Sequence, residues 1–289
     1  MQTSERIEVA LDRAVRHAEA PGAPPRLAAA MRYAVFPGGH RIRPRLCLAV
    51  AEACGGGDLA AVDAGAAAIE LLHCASLVHD DLPCFDDANL RRGKPSVHAA
   101  FSEPLAVLAG DALIVLAFET LARGAARSPR RLTALVSIVA GAVGAPSGIV
   151  AGQAWECEPS ISLTEYQRAK TGALFIAATA AGAAAAGADP RRWRLLGDRL
   201  GEAYQVADDL RDLLCDEAEL GKPIGQDAAR HRPNAAAELG VAGARARLEG
   251  LVRSAVDAIP PCPGEAALRE QIKAQTSLFF PKQLARVAA

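Results

Sequence analysis

The residues best suited to chemistry in this sequence are two clusters of aspartate. The first is His79-Asp80-Asp81-Leu82-Pro83-Cys84-Phe85-Asp86-Asp87, with four carboxylates in eight residues. The second is Asp208-Asp209-Leu210-Arg211-Asp212. Each closes a strongly apolar stretch. Asp208 and Asp212 are spaced i,i+4, and Asp209 and Asp212 i,i+3, so on a helix all three share one face. Like charges at that spacing repel, and carboxylates are costly to desolvate. A hard divalent cation removes the difficulty. Mg²⁺ takes oxygen ligands, keeps waters, and is usually held by one or two carboxylates together with substrate phosphates. Two such clusters suggest a clamp for a magnesium-bound diphosphate. Two solvated acidic helix ends are the plain alternative. The pairing of clusters, both flanked by apolar residues, disfavours it.

Cations stand where a diphosphate would need them. Arg91-Arg92-Gly93-Lys94 follows the first cluster, His40-Arg41-Ile42-Arg43 follows the Gly38-Gly39 turn, and Lys170 precedes Thr171-Gly172. Arg and Lys are natural partners of diphosphate oxygens. Each run abuts a glycine turn or an acidic cluster rather than an open helix face.

The elements that position these residues are expected to be helices. Ala-rich, aromatic-poor composition (4% Phe, Trp and Tyr) suits close-packed helices better than strands. Thr3 or Ser4 could cap a first helix, ended by the run Pro21–Pro25. Others are expected over Arg26–Val35, from Pro44 to the glycines at 55–57, over Leu59–Asp81, and near 103–124, 130–145, 164–188, 190–214 and 240–258. No repeat and no alternating strand pattern is convincing, and no composition shift marks a boundary. The expectation is one all-α domain spanning residues 1–289. The polar segment Lys222–Asn234 is a lid candidate.

Charge is balanced, 32 Lys+Arg against 33 Asp+Glu, which argues against a nucleic-acid partner. Seven scattered cysteines without a C-x-x-C pair, and a charged N-terminus, suggest free thiols in a reducing cytosol. Val136–Ala151 and Ala173–Ala188 are apolar but fall short of the roughly 20 residues needed to span a membrane. They read as core helices.

These pieces, in this order and along nearly the whole chain, resemble the trans-isoprenyl diphosphate synthase family. Phe36-Pro37-Gly38-Gly39-His40-Arg41-Ile42-Arg43-Pro44 is similar to its G-G-K-R-x-R-P motif. Leu77 to Asp87, followed by Arg91-Arg92-Gly93, resembles its first aspartate-rich motif in the bacterial form. Ala151-Gly152-Gln153 resembles the G-Q motif, Lys170-Thr171-Gly172 the K-T-G motif, and Tyr204 to Asp212 the second aspartate-rich motif. Within the family the chain is most similar to the geranylgeranyl diphosphate synthases of bacterial carotenoid and photosynthetic-pigment pathways.

The resemblance implies a helical bundle with a central apolar cavity, and roles position by position. Asp80, Asp81, Asp86, Asp208 and Asp212 would bind three Mg²⁺ with an allylic diphosphate. Arg91, Lys170, Lys222, Gln153 and Asp209 would hold that diphosphate. His40, Arg43, His73 and Arg92 would bind isopentenyl diphosphate. Thr171, Gln205 and Lys170 would line the reacting centre. A homodimer is likewise implied, whereas the cytoplasmic location and the lack of a membrane span are expectations from the thiols and the short apolar runs. Three departures stand out: His40 replaces the usual Lys, Glu156 the Asp three residues after the G-Q glutamine, and Arg232 the Lys five residues beyond Asp227. His231 also replaces a Gly.

Product length should be set below Asp80. A residue five positions earlier on a helix sits about 7.5 Å deeper. Family members that stop short carry bulky aromatics four or five positions before the first aspartate. Here those positions are the small Ser76 and Ala75, with Leu72 a candidate floor one turn deeper. That favours a twenty-carbon product, and Ala75→Tyr is expected to shift it to farnesyl diphosphate. A farnesyl diphosphate synthase is the alternative, and a non-catalytic regulatory subunit a lesser one. A terpene cyclase is disfavoured by Asp208-Asp209-x-x-Asp212 and by Arg43 and Arg92.

Overall fold

The computed structural model describes residues 2–36, 38–160, 162–214 and 235–280. The fold is helical. In chain order the helices are α1 (Thr3–Ala18), α2 (Pro25–Val35), α3 (Ile42–Ala53), α4 (Leu59–Asp80), α5 (Val97–Ala100), α6 (Glu103–Gly124), α7 (Pro129–Val143), α8 (Ile149–Ala154), α9 (Leu163–Gln167), α10 (Ala173–Ala186), α11 (Arg194–Leu214), α12 (Ala235–Asp257) and α13 (Glu265–Ser277). A π-helical turn, Arg168–Gly172, joins α9 to α10. A small antiparallel ribbon pairs β1 (Leu90–Arg91) with β2 (Lys94–Pro95).

Expected and observed helices agree over most of the chain, but the short α5 and α8 had no expectation, the stretch Val136–Ala151 is broken between Val143 and Ile149, and 164–188 is interrupted by the π turn. Thr3 lies inside α1, and the cap position is Gln2, which makes no side-chain cap bond. Helix α13 had no expectation, because its polar, charge-rich sequence shows little apolar periodicity. The β-ribbon is two residues per strand, too short for an alternation to register.

Helix α10 is the centre of the molecule. It is apolar on every side, and every residue from Ala173 to Ala185 is buried. A helix without a polar face belongs inside a large core. It packs on α3, α4, α7 and α11, and its alanines and Gly182 allow close approach. Helix α4 starts at Asp58, whose carboxylate accepts from the amides of Ala60 (3.1 Å) and Ala61 (3.4 Å). It runs buried through the core to Asp80 and packs extensively along α6.

Three helical stretches are long and apolar enough to cross a membrane by length and composition: Leu59–Asp80, Glu103–Gly124 and Glu165–Ala186. The first and last are core, with 78% and 83% of their most apolar windows buried in the fold. In α6 only 39% is buried, and Val107, Leu108 and Val115 face outward. The six described cysteines are free. Burial pushes the Cys47 and Cys74 thiols up to about 12, so neither is a nucleophile at neutral pH.

Candidate active site

The acidic C-terminal end of α4 and the acidic stretch of α11 open onto one cavity of about 1190 Å³. Asp80 and Asp86 line it from one side, Asp208 and Asp212 from the other. The wall between them is mixed, with apolar Ile149 and Leu174 beside the cations Lys170, Arg43 and Arg92.

Lys170 joins the two halves of the first acidic wall. Its Nζ lies 3.1 Å from Asp80 Oδ1 and 2.5 Å from Glu156 Oε1. The same Glu156 oxygen accepts from the Tyr166 hydroxyl at 2.8 Å, and Oε2 accepts from Gln153 Nε2 at 3.2 Å. Lys170 and Thr171 sit in the π turn, a distortion that is frequent at functional sites. Gly152 explains why the G-Q and K-T-G motifs occur together. A Cβ there would collide with the Lys170 backbone, so only glycine lets α8 approach the π turn this closely.

Asp81 is placed differently from Asp80. It is buried and paired with Arg91, whose Nε lies 3.0 Å from Oδ1, with a second, shorter bond from Arg91 Nη2. It lines a separate, smaller cavity of about 130 Å³ beside the β-ribbon rather than the large one. Burial raises the Asp81 pKa and outweighs the Arg91 pairing that lowers it. Arg91 itself lies on both cavities and is 3.8 Å from Asp80. Burial alone would lower its pKa, but the Asp81 carboxylate and its acidic neighbours hold it above the ordinary value.

His40, Arg43, His73 and Arg92 all reach the large cavity. Arg43 is 8% exposed, and its guanidinium stacks over the rings of Phe175 (4.7 Å) and Tyr204 (5.7 Å). Its Nε has no hydrogen-bond partner among the described residues. Arg43 also lines the cavity, where its positive charge suits an anion. Burial lowers its pKa. His73 is held well below the ordinary imidazole value, first by burial and then by the charges of Arg43, Arg92, Arg91 and Arg41, so it is neutral at pH 7. It can serve as a neutral donor or acceptor. His79 and His98, unassigned from sequence, face backbone carbonyls, Val107 O at 3.2 Å and Ala88 O at 3.0 Å.

On α11, Thr171 donates to Gln205 Oε1 at 2.8 Å, and Gln205 Nε2 donates to Asp209 Oδ1 at 2.9 Å. Asp209 is buried and faces Gln205 rather than the cavity wall. Tyr204 is the hub between Phe175, Phe279, Arg43 and Arg211. Arg211 lies 3.6 Å from Asp208 and donates to the Phe279 carbonyl at 3.4 Å, which ties the end of α13 to the second acidic cluster. Tyr166, Arg211 and Phe279 were not found from sequence. Each meets the site through long-range packing, and only Glu156 carried a signal, as a departure from the family pattern.

The three residues expected to set product length separate. Ser76 lies on the cavity wall, with Leu77 beside it. Ala75 (1% exposed) and Leu72 (0%) are packed in the core and are not among the wall residues. Lys222, Asp227, His231, Arg232 and the lid candidate as a whole lie outside the described residues.

The donors fit magnesium by type, since the aspartates lining the cavity, Asp80, Asp86, Asp208 and Asp212, offer hard oxygen. Among the described residues no three acidic, His or Cys side chains converge on one point.

The polyprenyl synthetase family model matches residues 24–256. The chain is 56% identical over 285 residues, covering 99% of both chains, to the geranylgeranyl diphosphate synthase of Cereibacter sphaeroides. It is 52% identical over 273 residues, 94% of both, to that of Rhodobacter capsulatus. Among solved structures it is similar to geranyltransferase from Helicobacter pylori complexed with magnesium and isoprenyl diphosphate (TM-score 0.78, 30% identity, 96% of this chain and 98% of that one). With its motifs, its helical fold and these relatives in agreement, the chain belongs to the polyprenyl synthetase family.

Proposed function

We propose that this chain is a magnesium-dependent prenyltransferase that condenses isopentenyl diphosphate with an allylic diphosphate, head to tail, to make geranylgeranyl diphosphate. The observation that carries this is one cavity bearing two acidic walls and, beside them, the cations Arg43, Arg92 and Lys170. The names of the two relatives above 50% identity supply the product, whereas the farnesyl diphosphate synthase of Geobacillus stearothermophilus is 38% identical.

In this reading Asp80, Asp86, Asp208 and Asp212 hold the metal–diphosphate, three ions being the expected number. Asp81 acts through Arg91, and Asp209 through Gln205. Bound Mg²⁺ would neutralise charge growing on the departing diphosphate. Lys170, carried between Asp80 and Glu156, and Arg91 would stabilise that same charge, a preorganised electrostatic effect. Loss of the diphosphate leaves an allylic cation at C1. Thr171 and Gln205 face it with neutral oxygens. Arg43, His40, His73 and Arg92 hold isopentenyl diphosphate so that its double bond attacks C1. A proton then leaves the new cation, with the departed diphosphate the nearest base. Ile149 and Leu174 help exclude water, which would quench either cation.

The whole chain is read as one cytoplasmic domain acting as a homodimer. The outward apolar face of α6, with Val107, Leu108 and Val115 at 42, 51 and 60% exposed, is the surface a second copy would cover. Sedimentation should then give twice the 30.0 kDa chain mass, and a monomer would sink the dimer.

The deciding test incubates purified protein with Mg²⁺, labelled isopentenyl diphosphate and each allylic primer, then sizes the dephosphorylated products. A twenty-carbon alcohol that disappears with EDTA is expected. A fifteen-carbon product would overturn the assigned product, and no product from any primer would overturn the enzyme.

A further inference from the structure

The four-residue run His40-Arg41-Ile42-Arg43 contains two arginines that border one cavity and differ in their hydrogen-bond partners. Arg43 lines the cavity, and its buried Nε has no hydrogen-bond partner among the described residues. Arg41 and Glu70 also border the cavity, but the Arg41 guanidinium spends its donors on the protein. Its Nε and Nη2 reach the two Glu8 oxygens at 2.8 and 3.3 Å, Nη1 reaches Glu70 Oε1 at 2.9 Å, and Nη2 also reaches the Val35 carbonyl at 2.8 Å. Its side chain is 4% exposed and that of Glu70 2%. Arg41 thus spans α1, the end of α2 and the middle of α4.

Three features show that the local chain is shaped around this guanidinium. Arg41 has φ 50° and ψ 40°, a left-handed conformation that a β-carbon disfavours and that surrounding contacts must hold. A Cβ on Gly38 would collide with the Arg41 guanidinium, so the glycine leaves room for it. The Phe36 ring lies 5.8 Å from it on the other side of the turn. Glu70 stands three residues before His73 on α4, so the anchor and the wall of the site belong to one rigid helix.

We propose that Arg41 is a positioning residue for the proton-losing substrate: clamped by Glu70 and Glu8, it sets the loop that presents His40 and Arg43 to the diphosphate of isopentenyl diphosphate. It does not touch substrate. This rests on the function proposed above, and it separates Arg41 from Arg43, which sequence spacing alone treats alike. A phosphate clamp built on a loop gains precision only if the loop is itself locked.

The test is a set of full-chain variants, Glu70→Gln, Arg41→Lys and Glu8→Gln, with KM measured separately for each substrate alongside thermal melts. For Glu70→Gln and Arg41→Lys, the KM for isopentenyl diphosphate should rise about tenfold, with kcat and the allylic KM within about twofold. Glu8 lies at the exposed end of the clamp, so Glu8→Gln should fold even if the buried changes do not, and should show the same split at about threefold. Folded variants with a lowered melting temperature and unchanged KM values would make Arg41 merely structural and overturn the proposal, as would an equal rise in both KM values. Wild-type protein without prenyl transfer would overturn the parent function and this inference with it. Active wild type with unsplit variants would overturn this inference alone.

Discussion

Replacing Asp80 by asparagine should lower kcat by about a thousandfold while leaving the fold intact. Asp80 is the last residue of α4, where helix carbonyls already present partial negative charge. A carboxylate there costs about 0.3–1 kcal/mol relative to a neutral side chain. Its position is therefore better explained by function than by stability. Its present compensation is the Lys170 ammonium at 3.1 Å, with Arg91 at 3.8 Å. Asparagine keeps the shape but removes the charge that would hold a hard cation on the departing diphosphate. Lys170 retains Glu156 at 2.5 Å, so no buried cation is stranded. The lost ion pair and the relieved dipole clash roughly cancel, and the melting temperature should stay within about 3 °C of wild type. Steady-state rates at saturating Mg²⁺, with a parallel melt, check both halves. A variant within tenfold of wild-type kcat would remove Asp80 from the metal-binding set.

Ser76→Phe should convert a twenty-carbon product into a fifteen-carbon one, and Ala75→Tyr should not do so cleanly. Ser76 faces the cavity, so an aromatic ring there projects into the space a growing chain must enter. Its hydroxyl donates to the His73 carbonyl at 2.8 Å, a local bond whose loss costs little, since the carbonyl already belongs to the helix. Ala75 is 1% exposed within the core cluster. A tyrosine there must displace packed neighbours, at about 1–3 kcal/mol for overpacking. Its expected signature is a lower melting temperature with a mixed product. Sizing products of both variants with a geranyl primer, from which either fifteen or twenty carbons can form, decides the matter. If Ser76→Phe still makes twenty carbons, the tail runs along another wall, with Ile149 and Leu174 the residues to change next.

Much of this was legible without a fold. Apolar helical periodicity, with Gly and Pro at the breaks, marked nearly every helix, because a helix boundary is a local event. Helix α13 escaped because its burial rests on only Leu268, Ile272 and Thr276, too few to impose a period on a charged segment. The two aspartate clusters were equally plain, since carboxylates at i,i+3 and i,i+4 repel unless something holds them. Motif order identified the family for the same reason: each motif is a short, local stretch of chain.

Side-chain direction was decided elsewhere. Asp80 and Asp81 are neighbours in sequence, yet one faces the large cavity and the other is buried against Arg91, because α4 ends between them and the β-ribbon returns Arg91 beneath Asp81. Arg41 and Arg43 both border the cavity but divide by partner, because the left-handed Arg41 just before α3 lets its guanidinium reach Glu8, Glu70 and the Val35 carbonyl. Ala75 and Ser76 divide because successive residues on a helix point about 100° apart, and only the packing of α6 and α10 around α4 says which direction is core. Glu156, Tyr166 and Lys170 meet through a π turn and a close helix approach at Gly152. Residue type and spacing announce which groups can act, since both are properties of a short piece of chain. Which groups face each other across a cavity depends on how distant helices pack, and that is a property of the assembled molecule.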